Sequence, residues 1–222
     1  MRPEDAAALR EWSAENGLPL DPDALSRLTA FLELLETWNR RTHLTGDRDP
    51  SRLVRRHLAD SMVPSLVLPE SGLVVDIGSG GGFPGIVQGC LRPDLDLALI
   101  ESRRRRASFL REAIRHVRLP CARTFEGRAE DLAEDPAVAR QAKVVIARAL
   151  RLDVFMPLAL PLVAPDGIVV AMQTPRAVAG ASATAAALGF ELGEVRRYRL
   201  PDGDSRALLL FVARRARGVS AS

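Results

Sequence analysis

Two hydrophobic periods divide the chain. Up to about residue 70 the apolar positions recur every three or four residues. Leu25, Leu28, Leu32, Leu35 and Trp38 form one stripe, which predicts a helix with a single face packed on a core. Asp21-Pro22 and Asp49-Pro50 read as helix starts, with the Pro in the first turn. The second of these helices carries Leu53, His57, Leu58 and Met62, and Pro64 and Pro69 loosen the chain behind it. From residue 72 short apolar runs alternate with helical stretches. Strands are predicted at 73–77, 95–101, 121–125, 144–147 and 167–172, and helices at 84–91, 104–117, 154–163 and 178–188. The segments 191–199 and 206–213, joined by Pro201-Asp202-Gly203-Asp204, read as a closing antiparallel hairpin. Such alternation predicts an α/β fold with a doubly wound parallel sheet. The expected organisation is a helical cap at 1–70 packed on a core at 71–215, with a disordered tail at 216–222.

At 222 residues the chain can bury one core and a small extension. Its longest apolar stretch, 154–164, is short and contains Pro157 and Pro161, so no membrane span is expected. The start, Met1-Arg2-Pro3-Glu4-Asp5, lacks the features of a signal peptide, and a cytoplasmic location is expected. Cys90 and Cys121 suit reduced thiols, and no Cys/His spacing suits a metal. Net charge is only +3, yet it is unevenly spread: Arg40, Arg41, Arg48, Arg52, Arg55 and Arg56 fall together, Arg103 to Arg106 form a run, and Arg196, Arg197 and Arg199 group near the end. Each cluster alone suits a solvated face; together they favour an anionic partner.

The chemistry concentrates in Val74-Val75-Asp76-Ile77-Gly78-Ser79-Gly80-Gly81-Gly82-Phe83-Pro84-Gly85. A strand ends in an acid, a glycine-rich turn lets the backbone approach a ligand, and a second strand ends in Glu101, placed for two ribose hydroxyls. Gly80 to Gly85 fits a dinucleotide motif, whereas Asp76 with Gly78, Gly80 and Gly82 fits S-adenosylmethionine (AdoMet). Asp76 decides for AdoMet: a carboxylate suits the ammonium of a methionine moiety and repels a pyrophosphate. A hairpin after the fifth parallel strand is likewise the plan of a class I AdoMet-dependent methyltransferase Rossmann-like fold. The absence of a second, catalytic domain speaks against a nicotinamide oxidoreductase.

Three further places point to the same crevice. Glu126 to Leu132, containing Ala129 and Glu130, follows the third strand, where that fold holds an adenine; the alternative is an ordinary acidic helix start. Arg148 ends the fourth strand. It can bind an acidic group of the acceptor, orient the cofactor carboxylate, or pair with Glu130 or Asp76. It is a candidate positioning residue rather than an assigned catalytic one. His57 and Asp60, one helical turn apart, share a face and can reach the mouth of the crevice or serve structure alone. No Asn-Pro-Pro-Tyr or Asp-Pro-Pro-Tyr follows the fourth strand, which disfavours adenine amine methylation, and no Cys follows the fourth or fifth strand for pyrimidine C5 chemistry.

The chain resembles the bacterial small-subunit rRNA guanine-N7 methyltransferases, also called glucose-inhibited division protein B. The resemblance rests on Trp38-Asn39 to Leu44-Thr45, Arg48-Asp49-Pro50, His57 with Asp60-Ser61, the loop from Asp76 to Gly85 with its Phe-Pro-Gly ending, Gly127-Arg128-Ala129-Glu130 and Ala147-Arg148-Ala149. It implies that Gly78 and Phe83 line the AdoMet pocket, that Ala129 and Glu130 hold the adenine side and that Arg148 sits at the site. Glu101 is implied at the ribose by the wider class. It also implies methylation of N7 of one guanine in 16S rRNA, near the decoding region, on RNA or the assembling subunit, by a protein expected to be monomeric. The chain departs from the family at His43, where Asn is usual, at Leu150-Arg151-Leu152, and at Gln173-Thr174-Pro175 in place of Lys-Gly. All three changes are expected on or near the acceptor side. Another acceptor for the same chemistry, or RNA binding without turnover, are the alternatives.

Overall fold

A computed structural model describes residues 1–18 and 20–214. The expected tail at 216–222, and the last residue assigned to the core, lie outside the described residues.

The cap consists of α1 (Pro3–Glu15), α2 (Pro22–Thr42) and a composite helix. That composite begins as α3 (Pro50–Arg52), widens to a π-helix at Leu53–Leu58, returns as α4 (Ala59–Met62) and ends in a 3-10 turn at Val63–Leu66. Both expected starts are real: Asp21 accepts the Ala24 N–H at 2.6 Å and Asp49 the Ser51 N–H at 3.0 Å, each relieving an orphan donor of the first turn. Helix α2 buries Leu28, Phe31, Leu32 and Leu35, so the stripe read from sequence faces inward, and Phe31 extends it.

The core follows as β1 (Val74–Ile77), α5 (Gly85–Leu91), β2 (Leu97–Glu101), α6 (Arg104–His116), β3 (Ala122–Glu126) and α7 (Ala129–Leu132). It continues with β4 (Ala142–Arg148), α8 (Leu152–Ala159), β5 (Val163–Gln173), α9 (Val178–Ala187), β6 (Phe190–Arg199) and β7 (Ser205–Ala213). The seven strands lie in the order β3-β2-β1-β4-β5-β7-β6. The first five are parallel, and β7 pairs antiparallel with β5 and β6, which is the closing hairpin. The helix expected at 154–163 stops at Ala159, and Val163 already belongs to β5. Gly167 permits the long strand: a Cβ there would lie 2.6 Å from the Ala142 carbonyl.

One sheet face is covered by the cap with α5 and α6, the other by α7, α8 and α9. Leu9, Leu28, Phe31, Leu53, Leu58 and Met62 of the cap share a single apolar cluster with Val74, Leu99, Val144 and Val170 of the sheet. Each such burial is worth about 1.5–3 kcal/mol relative to exposure. Polar staples fix the same joint. Trp12 Nε1 donates to the Arg199 carbonyl at 2.8 Å, and Arg56 pairs with Asp202 and Asp204 at the hairpin tip. Buried Asp5 takes hydrogen bonds from Ser51, Arg55 and Arg2; burial pushes its carboxyl up, but these donors outweigh it and hold the pKa below the usual range.

Candidate active site

The candidate site lies at the carboxyl ends of β1, β2 and β4, where ligands of open α/β sheets bind. Its floor is the loop after β1. Gly78, Gly80 and Gly82 take φ of +75°, +53° and +86°, the left-handed region that side chains avoid. The Gly78 and Ser79 N–H groups both donate to the Ile100 carbonyl, at 2.9 and 3.1 Å, which seats the loop on β2. Close approach requires glycine at Gly85 and leaves Gly81 little room. A Cβ on Gly81 would meet the Leu44 carbonyl of the cap at 3.2 Å, and one on Gly85 would meet Leu99 at 2.3 Å and Asp76 at 2.6 Å.

The two acids of the motif have different surroundings. Asp76 is fully buried: Oδ2 accepts the Gly85 N–H at 3.0 Å, while Oδ1 is buried with no hydrogen-bond partner. Burial raises its pKa to about 7. Glu101 accepts the Gly80 N–H at 3.1 Å on one oxygen and the Arg103 N–H at 2.8 Å on the other. A carboxylate has about four lone-pair sites, so acceptor capacity is left over. The Gly127 N–H donates to the Glu101 carbonyl at 3.2 Å, which brings the turn into α7 beside β2. There Ala129 is buried and Glu130 exposed. The Arg128 N–H donates to Asp131 at 3.0 Å, so Asp131 takes the capping role open to this acidic start, and Glu130 has no ion pair or hydrogen bond among the described residues.

Arg148 ends β4 and pairs with neither Glu130 nor Asp76. Its Nε lies 3.1 Å from Asp60 Oδ2, Nη1 donates to Ser61 Oγ at 3.2 Å, and Nη2 sits 2.8 Å from His57 Nδ1. The guanidinium also lies over the Phe83 ring, 5.5 Å from its centroid. An arginine has no acceptor atom, so His57 Nδ1 must accept and is unprotonated. The other ring nitrogen, Nε2, is 2.8 Å from Asp47 Oδ2 and donates to it. His57 is therefore the neutral Nε2–H tautomer. Burial, then the Arg148 charge, lowers its pKa against the opposing pull of Asp47. Asp60 Oδ1 accepts the Tyr198 hydroxyl at 2.7 Å; burial, then the Asp60 carboxylate, raises the Tyr198 pKa and keeps it a donor. A chain of contacts thus runs from Asp47 through His57, Arg148 and Asp60 to Tyr198, joining the cap, β4 and the hairpin.

The structure gathers Asp76, Gly78, Gly80, Phe83, Glu101 and Arg148 at the carboxyl ends of β1, β2 and β4, with buried Ala129 and exposed Glu130 just beyond the turn held beside β2. His57 and Asp60 share a face as expected, and both use it on Arg148. Asp47 and Tyr198 carry no sequence signal of their own, whereas Ser61 stands out only through the family resemblance. Tyr198, the single tyrosine, lies in an ordinary amphipathic strand far along the chain. Two of the departures have local structural roles. His43 caps α2 with φ +48° and ψ +55°, a left-handed position for which Asn is better suited. Gln173 Nε2 donates to the Leu150 carbonyl at 2.7 Å, tying β5 to the turn after β4. Among the described residues no group of His, Cys, Asp and Glu is arranged for a metal, and no helix is long and apolar enough to cross a membrane.

Solved structures share this fold. A SAM-dependent methyltransferase from Aquifex aeolicus superposes with a TM-score of 0.56 at 12% identity, over 74% of this chain and 94% of that one. The ribosomal protein L11 methylase of Lactobacillus delbrueckii subsp. bulgaricus gives 0.57 at 13%, over 77% and 81%. Strand order, hairpin and glycine crevice define a class I AdoMet-dependent methyltransferase fold. Within it, residues 24–207 match the family rRNA small subunit methyltransferase G, and the chain belongs to that family. Proteins named Ribosomal RNA small subunit methyltransferase G are 36% identical over 215 residues in Symbiobacterium thermophilum, covering 92% of this chain and 87% of the relative. In Xanthomonas campestris pv. campestris the match is 38% over 218 residues, covering 96% of each.

Proposed function

We propose that the protein transfers the methyl group of AdoMet to N7 of one guanine in 16S rRNA, acting as a cytoplasmic monomer on the RNA or the assembling small subunit. The family match across 24–207 carries this reading. The crevice supports it. The orphaned, buried Asp76 Oδ1 is an acceptor lacking only a donor, as the ammonium of AdoMet would supply. Glu101 has lone pairs left for ribose hydroxyls, Gly78, Gly80 and Phe83 line the cradle, and Ala129 with Glu130 would hold the adenine side. AdoMet, when bound, supplies an electrophilic methyl on a cationic sulfonium.

The remaining demands fall on this chain's residues. Guanine N7 has an in-plane lone pair and no proton, so no general base is needed. The surroundings agree, because both nitrogens of His57 are engaged and neither is free to take a proton. Alignment is the main requirement. Arg148 would supply it as a positioning residue: Asp60, Ser61 and His57 hold the guanidinium, and each Nη keeps a second N–H for the acceptor or the cofactor carboxylate. The boundary near residue 70 then separates a cap that orients Arg148 from a core that cradles the cofactor.

The test pairs calorimetric AdoMet binding with transfer of labelled methyl to small-subunit RNA, followed by mass spectrometry of the nucleosides. AdoMet binding with label in 7-methylguanosine supports the reading; AdoMet binding with label in any other nucleoside, or in none, overturns it.

A further inference from the structure

Some of the arginines near the mouth are paired and others are not. Arg52, Arg55, Arg56 and Arg111 are paired, with Asp47, Asp5, Asp202 and Glu126 among their partners. Arg41 and Arg48 are exposed and make no ion pair or hydrogen bond among the described residues; Arg40 reaches only the Thr37 hydroxyl, at 3.4 Å. These three surround two adjoining cavities that share Arg40. One, about 480 Å³, is walled by Trp38, Arg40 and Arg41; the other, about 350 Å³, by Asn39, Arg40 and Arg48, with Glu36 the one acid on its lining.

Trp38 is half-buried. It meets Phe109 edge to face at 5.7 Å, and its indole N–H has no partner among the described residues. The dipole of α2 accounts for a cation in its last turn. It accounts neither for Arg48, which lies beyond the helix, nor for the cavities. The place adjoins the crevice: the Asn39 carboxamide accepts the Thr45 N–H at 3.1 Å, and the Leu44 carbonyl between them abuts Gly81.

We propose that the end of α2 is a second nucleotide site, which stacks one unpaired base of the substrate RNA on Trp38 and holds the adjoining phosphates with Arg40, Arg41 and Arg48. This rests on the RNA reading above and concerns a nucleotide other than the methylated guanine. An aromatic wall beside unneutralised arginines suits a ligand with a flat apolar body and negative charge. Trp38 can stack only a base whose face is unpaired and unstacked, so the strand is single or bulged.

The test measures an oligonucleotide from the methylated loop against the full-length protein. Binding is expected to quench the fluorescence of Trp38, and the quench to persist in Trp12→Phe and vanish in Trp38→Phe. Trp38→Leu, which keeps an apolar side chain against Phe109, is expected to weaken RNA binding and raise KM for RNA about 5- to 150-fold. Arg41→Gln with Arg48→Gln is expected to flatten the salt dependence by about 0.7 per lost phosphate contact. AdoMet affinity and Tm stay at wild-type values. An unchanged quench in Trp38→Phe, or an unchanged salt slope in the arginine pair, overturns the proposal. Because binding is read directly, RNA bound at Trp38 without methylation would sink the enzymatic reading alone. Methylation without the Trp38 signal would sink the site alone.

Discussion

His57 is the residue on which the network around Arg148 turns. Its Nδ1 can hold Arg148 only while unprotonated, and a proton there would set two cations 2.8 Å apart. The folded pKa is below 6.5, so between that value and 6.5 the unfolded chain binds the extra proton. Stability therefore falls as pH drops through this window. Asp76 works in the opposite sense. Raised to about 7, it binds a proton in the folded state from 3.8 upward, so it costs stability as pH rises toward about 7. Denaturation between pH 5 and 8 separates them: His57→Asn, which keeps an acceptor for Arg148, is expected to lose the low-pH decline, and Asp76→Asn the loss on raising pH. If both variants keep the wild-type pH profile, these protonation states are wrong. His43 gives a second residue-scale expectation. A non-glycine residue in the left-handed region costs about 1–2 kcal/mol, so His43→Gly should gain up to about 1 kcal/mol in urea unfolding; a loss would contradict the strain assigned to its φ of +48°.

At the scale of elements, the joints between strand tips and cap matter most. Gly85→Ala drives a methyl into Leu99 and the Asp76 carboxylate, so a loss of about 1–3 kcal/mol is expected, together with AdoMet affinity. Wild-type affinity would mean that α5 shifts freely. Asp60→Ala leaves a buried guanidinium without its counter-charge, a loss of about 3–5 kcal/mol. Tyr198→Phe removes only one donor and should cost about 1 kcal/mol; calorimetric Tm values of the two variants test the ordering. Much of this layer was legible. Alternation gave the parallel sheet, the hairpin its closure, and glycines with two acidic strand tips the crevice. Less legible was what holds Arg148. Asp60 precedes it by 88 positions and Tyr198 follows it by 50, and pairing across such separations leaves no periodic trace. The π-helix at Leu53–Leu58, which carries His57, is likewise silent, because a local change of hydrogen-bond partner keeps the same apolar residues inward. Position 43 and Gln173 were expected to bear on the acceptor; in the structure the first shapes a helix end and the second ties β5 to the turn after β4.

For the whole molecule, cap and core are joined through one apolar cluster rather than a hinge. Exposing six fully buried cap side chains and their partners would cost more than the roughly 5–15 kcal/mol by which a domain is stable. A chain starting at residue 71 is therefore expected to be insoluble or unfolded, as far-UV circular dichroism would show; a cooperative unfolding transition would contradict this. The same joint brings the cap to the candidate active site, because it supplies Asp47, His57, Asp60 and Ser61 to the network around an arginine of β4. The most direct measurement maps 7-methylguanine by chemical cleavage in 16S rRNA from a strain lacking this protein and resupplied with wild type or Arg148→Ala. Cleavage at one guanine, restored by wild type and absent with a folded, AdoMet-binding Arg148→Ala, is the expected result. Equal restoration by both proteins would remove Arg148 from the reaction, and no restoration by wild type would contradict guanine-N7 methylation itself.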